Sequence, residues 1–134
     1  MSVIAQYLRH LDVLATYLGD PYPELVAYFR VLRPRYRTAL LSNSLTARER
    51  EEDRYHFAEL VDFIIYSHEV GLAKPDPRIY TLTSQRLGVQ PHEIVFLDDA
   101  ERYIATAATY WFHTILYHNT VLAIAEIDRC LQAL

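Results

Sequence analysis

Apolar positions along the chain follow two periods, and the switches between them mark the elements. Ile4, Leu8, Leu11, Leu14 and Ala15 recur at helical spacing, which predicts a helix over residues 3–18. A turn at "GDPYPE" leads into a second helix whose Val26, Phe29 and Leu32 share one face and which Pro34 stops. "TALLSNS" (38–44) is a short apolar run ending in small polar residues, the pattern of a buried parallel strand feeding a loop. "LTAREREEDRYHFAEL" reads as a polar-to-amphipathic helix, and "DFIIYS" (62–67) as a second buried strand.

The remaining elements have clearer punctuation. Asp76 is placed to cap a helix with Pro77 in its first turn, and Gly88 is placed to end it. "IVFLDD" (94–99) is a third strand, 101–110 a helix, "HTILY" (113–117) a fourth strand, and Thr120 to Leu134 a closing helix. Strands alternating with helices predict an α/β fold, a parallel sheet with helices on both faces. The length suits one domain, 1–134, with no repeat, linker or low-complexity tract.

Composition and charge narrow the function classes. The net charge is −4 and the densest charge run, Arg48 to Arg54 ("REREEDR"), mixes both signs, so nothing supplies the clustered cations that nucleic acid requires. That run reads as a solvated helix face with internal ion pairs. The single cysteine, Cys130, excludes an internal disulfide and sits in an apolar helical pattern, where a small hydrophobe outweighs a nucleophile. The first twelve residues lack a signal-peptide core. Residues 103–125 carry no Asp, Glu, Lys or Arg, but scattered Thr, His and Asn argue against a membrane span. The protein is therefore expected to be cytoplasmic, without nucleic-acid or membrane partners.

Candidate chemistry belongs beyond the carboxyl ends of the strands, where open α/β sheets bind ligands. Those ends are Ser42-Asn43, Ser67-His68, Asp98-Asp99 and Tyr117-His118. A hydroxyl and an amide from the first, the ammonium of Lys74 and the carboxylates of the third would suit a phosphate and a divalent cation. His68, His113 and His118 match no metal-ligand spacing.

"LLSNS", "GLAKPDPRIY" and "IVFLDDA", in this order and at these separations, resemble motifs two, three and four of the haloacid dehalogenase-like (HAD) hydrolase superfamily. The resemblance implies a three-layer, Rossmann-like core. It also implies that Ser42 and Asn43 bind a phosphoryl group, that Lys74 balances its charge, and that Asp98 and Asp99 hold Mg²⁺. A small phosphorylated molecule would be the substrate, chosen largely by the cap.

Two elements of the family pattern are not found. Its first strand ends in Asp-x-Asp, the nucleophile and the general acid/base, and no Asp-x-Asp occurs within these 134 residues. Residues 1–20 resemble only the last helix of the family's helical cap. The expectation is a truncated or degenerate member with its central first strand missing, little or no phosphatase activity alone, weak or absent Mg²⁺ binding, and a binding or regulatory role. The alternative is a hydrolase completed by a first strand and cap from another chain. The expected sheet closes up in the order 62–67, 38–43, 94–98, 113–117, with dimerisation through leftover apolar surface. Two smaller departures are Tyr103, where the family has Asn, and Trp111, where it has a Gly suited to a left-handed turn.

Overall fold

A computed structural model describes residues 3–6, 23–42, 59 and 61–133. The elements are β1 (Val3–Gln6), α1 (Pro23–Leu32), β2 (Arg37–Ser42), β3 (Phe63–Tyr66), α2 (Ser67–Val70), α3 (Pro77–Leu87), β4 (Ile94–Asp98), α4 (Glu101–Thr109), β5 (His113–Leu116) and α5 (Thr120–Ala133). A 3₁₀ turn, Pro91–Glu93, leads into β4. The predicted helix over 45–60 falls outside the described residues except for Glu59.

Five strands among the described residues form one parallel sheet in the order β3-β2-β1-β4-β5. This corrects the expectation of an empty centre. Val3–Gln6 is a strand, not the start of a helix or a piece of a cap, and it lies between β2 and β4. Its register sets Ile4 level with Thr38 and Val95, and Gln6 level with Leu40 and Leu97. The strands 38–43 and 94–98 therefore do not pair directly. The physical reason lies in the two strands flanking that slot. "TALLS" and "IVFLD" present apolar, unpaired backbone that cannot be left bare, and Val3-Ile4 has strong β-propensity. Residues 7–18 of the predicted helix and 7–20 of the predicted cap remnant lie outside the described residues.

Strand alternation divides the core into two layers. Leu40, Val95, Leu97 and Ile115 point to one face, under α1 and α5, where they meet Leu25, Phe29, Leu32, Ala123 and Ile127. Ala39, Leu41, Ile65, Ile94 and Phe96 point to the other, under α3 and α4, where they meet Ile79, Tyr80, Leu87, Tyr103 and Ala107. Helices on both faces of a parallel sheet are the expected three layers, and β4 is buried along its whole length. No helix of the described residues is long and apolar enough to cross a membrane.

The helix ends follow the sequence signals. Asp76 accepts a hydrogen bond from the Arg78 amide at 3.0 Å and starts α3 with Pro77 in its first turn. Gly88 ends it in the left-handed conformation at φ 68°. The turn after α4 uses the same region with the wrong residue for it: Trp111 has φ 71° and is 78% exposed. A side chain in that conformation costs about 1–2 kcal/mol, and glycine's greater unfolded-state freedom returns about 0.5–1 kcal/mol of the relief. Trp111→Gly is accordingly expected to raise stability by up to about 1 kcal/mol in urea melts at low micromolar concentration. A loss of stability would show that the indole makes contacts this exposure does not suggest.

Candidate active site

β2 and β4 deliver Ser42 and Asp98 to the carboxyl end of the sheet, with the strand β1 between them. The Ser42 side chain, Asn43 and Ser44 lie outside the described residues, so only the backbone of this corner is placed. Lys74 arrives from the other direction. α2 ends at Gly71 in the left-handed conformation (φ 73°), and the following loop, with a cis Lys74–Pro75 peptide, turns back at Asp76, whose amide donates to the Ala73 carbonyl at 2.8 Å.

Lys74 and Asp98 meet. The Lys74 Nζ lies 3.0 Å from Asp98 Oδ2, and both side chains are fully buried. The ammonium also donates to the Leu41 carbonyl at 3.0 Å, at the end of β2. It sits over two aromatic rings, Tyr103 at 5.1 Å and Phe96 at 5.7 Å, whose faces favour a cation. The other Asp98 oxygen, Oδ1, accepts from the Ala100 amide at 2.9 Å. Asp99 is only half-buried and follows the strand into the start of α4.

Burial dominates the electrostatics of the pair. It pushes the Asp98 carboxyl up to about 6, against the opposing pull of the Lys74 ammonium and the Ala100 amide; the Asp99 charge adds slightly to the rise. A carboxylate engaged in this way is a poor cation ligand. Mg²⁺ needs several oxygen ligands and gives up water reluctantly. Among the described residues no three His, Cys, Asp or Glu side chains gather closely enough to hold a metal. The described donors alone therefore do not fit a Mg²⁺ site.

Of the residues singled out in the sequence, Lys74 and Asp98 are brought together, Asp99 is adjacent, and Ser42 is on the same edge. Tyr103, at the family's Asn position, is buried against the Lys74 ammonium and so closes one side of the site. Sequence reasoning missed two contributors: the Leu41 carbonyl, which leaves no trace in a sequence, and Phe96. Phe96 could have been found, because it lies two residues before Asp98 and so on the same face of β4. His68, His113 and His118 are exposed. Cys130 is half-buried and packs against the α1–α5 layer.

The family model of haloacid dehalogenase-like hydrolases matches residues 2–109. The chain is 33% identical over 117 residues to bifunctional epoxide hydrolase 2 of Sus scrofa, an alignment covering 81% of this chain and 20% of that protein. It spans a fifth or less of the length of this and other mammalian relatives it matches. Among solved structures, a predicted HAD-like family hydrolase from Porphyromonas gingivalis superposes with a TM-score of 0.75 at 20% identity, covering 98% of each chain. A HAD family enzyme from Bacteroides thetaiotaomicron, in complex with magnesium and inorganic phosphate, superposes with a TM-score of 0.67 at 24% identity over 74% of this chain and 54% of that one.

Proposed function

The chain belongs to the haloacid dehalogenase-like hydrolase family, and from that premise we propose that these 134 residues retain its phosphate-handling corner without its attacking group. Ser42, Asn43 and Lys74 are the proposed phosphate-binding residues, and Asp98 and Asp99 an incomplete metal site. The expected consequence is little or no phosphatase activity by this chain alone, and a role in binding or regulation.

One observation carries the reading. In the resemblance the nucleophile ends the strand between β2 and β4, and here that strand is Val-Ile-Ala-Gln, followed in the sequence by Tyr7 and Leu8. An amide or a phenol cannot replace the carboxylate that would take up the phosphoryl group, and without the nucleophile covalent catalysis fails whatever the other residues contribute. The buried pair supports the same reading. Asp98 already neutralises Lys74, so an incoming phosphate meets little net positive charge there and Mg²⁺ meets a carboxylate engaged with an ammonium instead of an open cluster. Completion by a first strand from another chain is disfavoured, because Val3–Gln6 pairs with both neighbours of that slot.

The test is hydrolysis of p-nitrophenyl phosphate with added Mg²⁺. We expect no turnover above buffer, and no Mg²⁺ heat signal in the micromolar range by calorimetry. Turnover abolished by Asp99→Asn, a shape-conserving change at a half-buried position, would overturn the reading.

A further inference from the structure

Lys74 is the only lysine in the chain, and its side chain is sealed from solvent. A lysine that balances the charge of a phosphoryl group has to be reached by it, so whatever seals Lys74 also decides what binds there. Tyr103 is part of that seal. It is 2% exposed, and its ring centre lies 5.1 Å from the Lys74 Nζ and 4.9 Å from the guanidinium carbon of Arg102, which is exposed. Two cations thus share one ring, the inner one buried and the outer one in water.

The other described groups that face Lys74 are fixed. Asp98 and the Leu41 carbonyl belong to strands of the sheet, and Phe96 is fully buried with Tyr80 and Phe112 edge-on to it at 5.8 and 6.2 Å. Tyr103 instead stands in the first turn of α4, next to solvent. Its backbone is held, because the Tyr80 hydroxyl donates to its carbonyl at 3.1 Å. Its phenol is held at the outer end by Arg102, whose Nη2 donates to the hydroxyl at 3.0 Å. The ring can therefore turn about its own side-chain bonds while the helix stays in place.

Among the described residues Arg102 pairs with no carboxylate; its contacts are the phenol oxygen and the ring. A phosphate oxygen is a stronger acceptor for a guanidinium than a neutral phenol is, and it would draw Arg102 off Tyr103. We propose that Tyr103 is a gate over Lys74, latched by Arg102, and that a phosphate-bearing ligand opens it by engaging Arg102. The ligand part rests on the proposed phosphate-binding role of this corner; the gate itself is tested without a ligand.

Acylation of Lys74 by N-hydroxysuccinimidyl acetate, read by peptide mass mapping, reports the gate in the full chain. The wild type is expected to react slowly. Arg102→Gln, an exposed change, is expected to react about fivefold faster with an unchanged urea midpoint, which separates local opening from loss of global stability. Tyr103→Asn, where it folds, is expected to react like an exposed lysine. Inorganic phosphate is expected to shift the Tyr103 ring signals in NMR spectra of the wild type and not of Arg102→Gln. Fast labelling of the wild type, or an unchanged rate in Arg102→Gln, would overturn the gate. Phosphate that shifts signals around Lys74 but leaves the Tyr103 ring unmoved would overturn the gate while the phosphate-binding reading stands. Phosphate that shifts nothing would overturn both that reading and ligand-driven opening.

Discussion

Replacing Lys74 with Met is expected to destabilise the fold by on the order of 3–5 kcal/mol, and Asp98→Asn by a similar amount. Replacing both, as Lys74→Met with Asp98→Leu, is expected to cost far less than the sum and to approach neutrality. The asymmetry comes from burial. Both side chains are fully buried, with Nζ and Oδ2 3.0 Å apart, so the attraction between them mainly offsets the loss of water around each charge. Removing one partner leaves that loss uncompensated in the other. Removing both removes the loss with the attraction, and the aromatic rings of Phe96 and Tyr103 then face an apolar side chain in place of a cation. Urea melts of the two single variants and the double would read it. Two single costs that simply add would mean that the pair is better hydrated than its burial implies.

The same pair gives a pH dependence whose sign follows from its protons. The Asp98 carboxyl, raised to about 6, keeps its proton in the folded state to a higher pH than the unfolded chain does. Over the interval from about 4 to about 6 the folded state therefore binds more protons, and this group's contribution to stability falls as pH rises. Lys74→Met removes the strongest influence holding that value down, so the interval extends upward. The variant is expected to lose stability more steeply than the wild type between about pH 6 and pH 8. A parallel pH profile for the two proteins would show that Asp98 stays ionised without its lysine.

Where the sequence carried local punctuation, the fold was legible. Asp76-Pro77 and Gly88 marked both ends of α3 because capping and left-handed turns act on one or two residues and do not depend on tertiary context. The alternation of strands with helices predicted a sheet covered on both faces, and Leu40 and Leu97 do pack in one layer, Leu41 and Phe96 in the other. Trp111 was anticipated as a strained position from the family's glycine, and its φ of 71° is that strain. β1 was not legible. Four residues are too few to show a period of two, and Ile4 also begins a longer series at helical spacing. What decides its state is distant in the chain: the two apolar strands on either side of it. The site was more legible. Lys74 and Asp98 were readable as members of one motif set. With no first-strand carboxylate in the motif set, Lys74 is expected to approach the acidic pair and neutralise it, and its 3.0 Å contact with Asp98 is that outcome.

Ala5→Pro is expected to cost roughly 3 kcal/mol or more and, in a domain of marginal stability, to leave much of the chain unfolded. Ala5 lies in the middle of β1, level with Ala39 on one side and Phe96 on the other. A central strand has no solvent edge, so its interior amides are needed by the ladders, and proline supplies no N–H. The partner carbonyl is then buried without a donor, which adds about 1–3 kcal/mol to the steric misfit of the ring. The effect should spread further than one bond, because β1 is what joins the β2–β3 half of the sheet to the β4–β5 half. Circular dichroism and hydrogen exchange would distinguish the cases. Loss of protection in both β2 and β4 is the expected result. If residues 3–6 belonged instead to a helix lying outside the core, the same proline would leave β2 and β4 protected and paired with each other, and the central placement of β1 would be wrong.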